Sequence, residues 1–348
     1  MMMHCGRTLA IVAIASFAFL GCDSTSPLVA THVIFDSQPP ATAVSAQTLG
    51  SIRVTVLTAA GQIATGTNYQ VTISLLASDT AAHLAGTTSV QTTDGVATFS
   101  DLSVARAGSD FRLVASVADL GSWMSQPFTV KPGPPSKLQF DSSQPSLSFQ
   151  VGSDIPAVVR VTDAAGNTVP DATNSVTVGD TRTGSIGMTV APDSLFGPVT
   201  QPAVNGVATF SGLSIHKSGL YSLSATSAGL AAATSGQLTM MAGPMAKLIF
   251  VTQPSDGTAS TPLATFSVQQ VDVYGNGMSL PPGPPYSVTI SLGNNPGGAA
   301  LGGTLTAQGF GSLAMTFGNV SIDKPGTGYT LVATSGGRTV TSAPFSIH

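Results

Sequence analysis

The chain contains no glutamate: all 16 of its acidic residues are aspartate. Charge of either sign is scarce. Charged residues make up 8% of the 348, against roughly 25% in an average soluble protein. A folded surface must therefore be drawn mainly from Ser, Thr, Asn and Gln. With 12 Lys and Arg and a formal net charge of -4, no basic stripe is available for a phosphate backbone, and a nucleic-acid partner is excluded. The 2 cysteines, Cys5 and Cys22, both lie near the N-terminus, so no disulfide framework staples the rest of the chain. Aromatic residues are 6% of the chain, with Trp123 the single tryptophan. Past the first twenty or so residues no long amphipathic helical pattern occurs. His32, His83, His216 and His348 fall into no H-x-x-x-H or H-E-x-x-H spacing, and no G-x-S-x-G elbow or phosphate loop stands between a strand and a helix. The expectation is a protein that is not an enzyme, has no catalytic set and needs no cofactor.

What the sequence does have is a threefold repeat. Asp94–Val104 reads DGVATFSDLSV, Asn205–Ile215 reads NGVATFSGLSI, and Phe310–Ile322 reads FGSLAMTFGNVSI. Each copy is followed by glycine and an aromatic-x-Leu-x-Ala run: Phe111, Leu113 and Ala115; Tyr221, Leu223 and Ala225; Tyr329, Leu331 and Ala333. A period of roughly 110 residues is too long for a solenoid and suits a small independent domain. The expected divisions are 1–21, a cleaved leader; 22–30, a tether; and three domains at 31–131, 136–241 and 246–348.

Each domain opens with an alternating strand, at His32–Phe35, Lys137–Phe140 and Lys247–Phe250. Gln-Pro follows at Gln38, Gln144 and Gln253. Proline cannot donate to a ladder and so interrupts an edge strand. A second strand (Ile52–Leu57, Ala157–Thr162, Phe266–Val273) ends in a glycine turn at Gly61, Gly166 and Gly275. A third strand, the repeated phrase, the aromatic strand and a closing strand complete each copy. Short period-two strands with frequent turns predict an all-β protein of three tandem immunoglobulin-like sandwiches. Alternation turns Phe99, Phe210 and Phe317 inward, with Leu113, Leu223 and Leu331. Tyr221 and Tyr329, two residues before an inward leucine, parallel the immunoglobulin tyrosine corner and are expected to be structural. The linkers Lys131-Pro132-Gly133-Pro134-Pro135 and Ala242-Gly243-Pro244 are short and proline-stiffened, predicting a semi-rigid string.

The first residues carry Arg7 and an apolar run from Thr8 to Leu20, about 13 residues and shorter than the ~20 that span a bilayer. This is the pattern of a secretory signal. Phe19-Leu20-Gly21-Cys22 resembles the lipobox of bacterial lipoproteins, which implies lipidation of Cys22 and a membrane partner through that lipid. The expected location is outside the cytoplasm, membrane-anchored, facing the cell surface or the periplasm.

The Leu-x-Phe strand, the Gln-Pro step, Asp163-Ala164-Ala165-Gly166-Asn167, Asn205-Gly206-Val207-Ala208-Thr209-Phe210 and Gly219-x-Tyr221 together resemble bacterial immunoglobulin-like repeats of the Big-1, invasin and intimin type. The resemblance covers about Ala30 to His348. It implies a cell-envelope adhesion or spacer array meeting an unknown protein or glycan. A carbohydrate-binding or matrix-associated accessory protein is the alternative. Asp163 with Asn167, and Asp272 with Asn276, supply too few oxygens for calcium and are expected to serve turns, with no metal bound. Trp123 is expected in a turn-rich stretch that caps one end of the first sandwich. Loop residues Pro281, Pro282, Pro284, Asn294 and Asn295 of the third domain are candidate contact positions.

Overall fold

A computed structural model describes residues 29–141, 148–184, 195–277, 286–309 and 314–348. Cys22 and the leader lie outside the described residues, as do Gln144-Pro145 and Pro281, Pro282 and Pro284. The described residues form strands, turns and loops, with no helix among them. The chain divides into two compact units, Met1–Val130 and Lys131–His348.

In the first unit, Ala30–Ser37, Ile52–Thr58 and Val96–Phe99 form an antiparallel three-stranded sheet with Ile52–Thr58 in the middle. The facing sheet runs Thr42–Val44, Phe128–Lys131, Gly108–Val117, Gln70–Leu76, Ser89–Gln91. Alternate residues of the two sheets meet in one core built from Val33, Val54, Val56, Val71, Ile73, Phe99 and Leu113 among others. The order is that of an immunoglobulin-like sandwich.

The second unit holds two further cores, each enclosed in the same way. Lys137–Phe140, Ala157–Thr162 and Val207–Phe210 face a five-stranded sheet: Ser148–Gln150, Ala233–Met241, Gly219–Thr226, Ser175–Gly184, Thr200–Pro202. Its first pair is parallel, Ser148 lying against Thr239. Lys247–Thr252, Phe266–Val271 and Met315–Phe317 face Thr306–Gly309, Tyr286–Leu292, Leu331–Ser335 and Arg338–Thr341.

Turn chemistry explains the repeated phrase. Asp94 and Gly95 have φ of 50° and 78°, and Asn205 and Gly206 have 51° and 75°. Two successive positive φ values make the hairpin turn that Asx-Gly pairs favour. The turn also docks. Val161 donates its N–H to Gly206 O at 2.8 Å, and a Cβ on Gly206 would fall on the Val169 carbonyl. Glycine is therefore required here both by conformation and by close approach.

Trp123 departs from expectation. Gly121–Met124 is a strand paired with Gly108–Val117, Trp123 opposite Ala115, and its half-buried ring packs along the first core. Period-two alternation over four residues is too short a signal to separate this strand from a turn.

Candidate functional site: the joint between the second and third cores

The inward residues take their places first. Phe99, Phe210, Phe317, Leu113, Leu223 and Leu331 are all buried. Tyr221 and Tyr329 are buried too, and each phenol donates to a carbonyl upstream: Tyr221 to Lys217 O and Tyr329 to Lys324 O, both at 3.0 Å. That is the tyrosine-corner bond. In the first core Phe111 has no hydroxyl; its ring packs 5.9 Å from Phe128. Asn295 turns its amide onto its own loop, and Asn294 ties that loop to Gly326–Tyr329. Asn294 donates to Gly328 O, while Asn295 donates to Ala299 O and accepts from Ala299 N. Of the loop residues offered as contacts, Asn294 and Asn295 thus hydrogen-bond within the third domain.

The buried Asp and Asn side chains of the second unit lie at two turns. Asp163 accepts from Asn167 N (2.8 Å), Asn167 Nδ2 (2.9 Å) and Gly133 N (2.9 Å). Asp272 accepts from Asn276 N (2.8 Å), Tyr274 N (2.9 Å), Asn276 Nδ2 (2.9 Å) and Gly243 N (3.0 Å). In both cases the carboxylate closes its hairpin and also holds the glycine of the preceding linker. Asp272 is 0% exposed and ringed by N–H donors. The groups named around it donate rather than accept, the opposite of the oxygen ligands a hard cation takes. Among the described residues no group of three His, Cys or Asp could hold a metal ion.

Asn276, also 0% exposed, reaches further. Its Nδ2 donates to His216 O at 2.7 Å, and its Oδ1 accepts from Ser218 N at 3.1 Å. His216 and Ser218 belong to the second core's end, Asn276 to the third. Beside this pair, Lys217 Nζ donates to Tyr274 O at 2.9 Å. The Tyr274 ring stacks on His216 with centroids 4.2 Å apart, and His216 stacks on Phe196 at the same separation. Buried hydrogen bonds, a cation on a carbonyl and a three-ring stack therefore bind the end of one sandwich to the first hairpin of the next.

Asp163, Asn167, Asp272 and Asn276 were legible as turn residues, but the joint was not. Its residues become visible when the three copies are aligned by position. The first copy has Thr58 and Gln62 at the Asp and Asn positions, and its hairpin still closes: Thr58 N donates to Gln62 O at 2.8 Å. The turn alone does not require the Asp–Asn pair.

Elsewhere the large sheets present hydroxyls. Thr177 pairs with Thr200 at 2.9 Å, Thr289 with Thr306 at 3.1 Å, and Thr72 with Ser89 at 3.2 Å. These rows stand where a charged surface would otherwise be. An apolar cleft of about 410 Å³ opens in the second core between Leu138, Phe149, Ile155, Ala157, Leu223 and Leu238.

No protein-family model and no curated protein matches this sequence. Solved structures do resemble it. FdeC, an Escherichia coli adhesin, covers 92% of this chain and 98% of its own at 18% identity, with a TM-score of 0.31. Invasin, a bacterial integrin-binding protein, covers 89% of this chain and 59% of its own at 15% identity and a TM-score of 0.31. A three-domain immunoglobulin segment of titin covers 92% and 99% at 13% identity and a TM-score of 0.29. These are likenesses of fold, and no activity is taken from them. By its own strand order the chain is an all-β protein of repeated immunoglobulin-like sandwiches.

Proposed function

We propose that the chain is a non-enzymatic cell-envelope lipoprotein of three tandem immunoglobulin-like domains, anchored through Cys22 and serving as an adhesion or spacer array. The observation that carries this reading is where the buried Asp and Asn side chains of the second unit are placed. In an enzyme they converge on a cleft. Here Asp163, Asp272 and Asn276 are used up on linkers and on a neighbouring sandwich, which is the economy of a structural array. The sparse charge and the hydroxyl rows suit a surface that works outside the cell without strong electrostatic steering. A protein or glycan partner fits this surface.

Anchoring and exposure are tested together. Cys22→Ala is expected to move the protein from the membrane to the soluble fraction. Protease added to intact cells is expected to degrade the wild-type chain. Equal membrane association of the two forms would remove the lipoprotein reading, and full protection from protease would remove the adhesion reading.

A further inference from the structure

One glycine separates what the sandwich needs from what the joint needs. Gly152 has φ of 77° and donates its N–H to Ile215 O at 2.9 Å. The same bond marks the equivalent positions in the other copies: Ala46 N to Val104 O at 3.0 Å and Ser260 N to Ile322 O at 2.7 Å. Those residues hold φ of 59° and 61°. A side chain is therefore tolerated at this position of the sandwich, left-handed backbone notwithstanding. At Gly152 it is not: an added Cβ would lie 2.7 and 2.8 Å from the Cε2 and Cζ ring atoms of Tyr274. Those atoms belong to a rigid ring already stacked on His216, so the ring must move as a body.

The other joint residues show the same position-specific choice. The tyrosine-corner bonds make Lys217 the counterpart of Lys324. Ser218 then corresponds to Pro325, which has no N–H to give, and His216 to Asp323, whose carboxylate accepts from Ala300 N at 2.7 Å within its own domain. The sandwich folds with Pro and Asp at these places, so His216 and the Ser218 N–H answer to the neighbour.

We propose that Gly152, His216 and the Ser218 N–H form a socket keyed to the Tyr274–Asn276 hairpin, and that this socket couples the second and third sandwiches so that their junction opens rarely. Gly152 is the specificity-determining residue, because it is the opening into which Tyr274 fits. The inference concerns how the array is held together and stands whatever the array binds.

The test uses the full chain and a cycle of Gly152→Ala, Tyr274→Ala and the double variant, with Ser260→Ala as control. The readout is hydrogen exchange of the Ser218 amide, together with the rate of limited proteolysis in Ala242-Gly243-Pro244. Gly152→Ala is expected to raise both by roughly tenfold or more, the effect of losing hydrogen bonds that close a local opening. In the Tyr274→Ala background, adding Gly152→Ala should change little, since the ring it strikes is gone. Ser260→Ala should leave both readouts as in wild type. Exchange and proteolysis within about twofold of wild type for Gly152→Ala would overturn the proposal. So would an effect of Gly152→Ala that persists undiminished without the Tyr274 ring, because the cost would then lie in the second sandwich's own backbone.

Discussion

Truncating Phe210 tests the packing of the second core. Phe210 is 1% exposed on Val207–Phe210 and sits directly across from Ala157 on the central strand. Removing the ring loses the transfer term of a buried aromatic, about 2–3 kcal/mol. It also leaves a void of about 80 Å³, worth about 2 kcal/mol where the surroundings cannot collapse. The surroundings favour the full cost. The cross-strand partner is a methyl group, so the neighbouring strand offers no large side chain at that position to close in. By contrast, Phe317 lies 5.3 Å from Phe266 and stacks on it, which leaves a large ring able to shift toward the gap. Phe210→Ala should therefore destabilise by about 3–5 kcal/mol. Urea unfolding followed by circular dichroism would show the transition of residues 131–348 moving to lower denaturant while that of the first unit stays in place. A loss below about 1 kcal/mol would refute the reasoning, because a ring that costs so little to remove is not packed in a core.

The tyrosine corners make a second prediction: Tyr221→Phe and Tyr329→Phe should each cost about 1 kcal/mol, since the Lys217 or Lys324 carbonyl loses its donor inside the protein. Two unchanged denaturation midpoints would show the hydroxyls to be ornamental, as the phenylalanine at Phe111 is compatible with the fold. A third concerns acid. Hydrogen bonds from the Thr87 backbone and hydroxyl hold the Asp101 carboxyl below its ordinary value of 3.8, and the Ala81 backbone N–H and the Arg106 guanidinium do the same for Asp79. A lowered folded-state pKa contributes stability that is present above the unfolded value and is lost as pH falls through the folded one. The first unit should thus weaken below pH 3.8, modestly because both groups are exposed, and Asp101→Asn should flatten that decline. An identical acid profile for the variant would show that Asp101 is not among the groups responsible.

Much of this architecture was readable without coordinates because its causes are local. Strand alternation follows from which face of a pleated chain meets apolar neighbours, so Ala157–Thr162 appears in the structure with the bounds read from its pattern. Asx-Gly turns depend on two residues' own backbone preferences. Repetition then made each copy a check on the others: Phe99, Phe210 and Phe317 share one inward position. Even the replacement of a disulfide by Leu223 beside the tyrosine corner follows from the absence of cysteine after Cys22. Trp123 was misread because a four-residue hairpin strand carries too little pattern to distinguish it from the turns on either side.

The joint is another matter, because its causes are not local. Nothing in Gly152 by itself distinguishes a backbone that needs positive φ from a surface that must admit a ring. Asn276 reads as a turn residue and is one. Only the docking of a second body shows that its amide is shared with His216 and Ser218 across 60 and 58 positions of chain. Local sequence determined the strands, turns and inward faces of each sandwich. The tertiary structure decided which polar groups those turns would leave over and what they would meet, since a contact between two folded bodies exists only once both have formed.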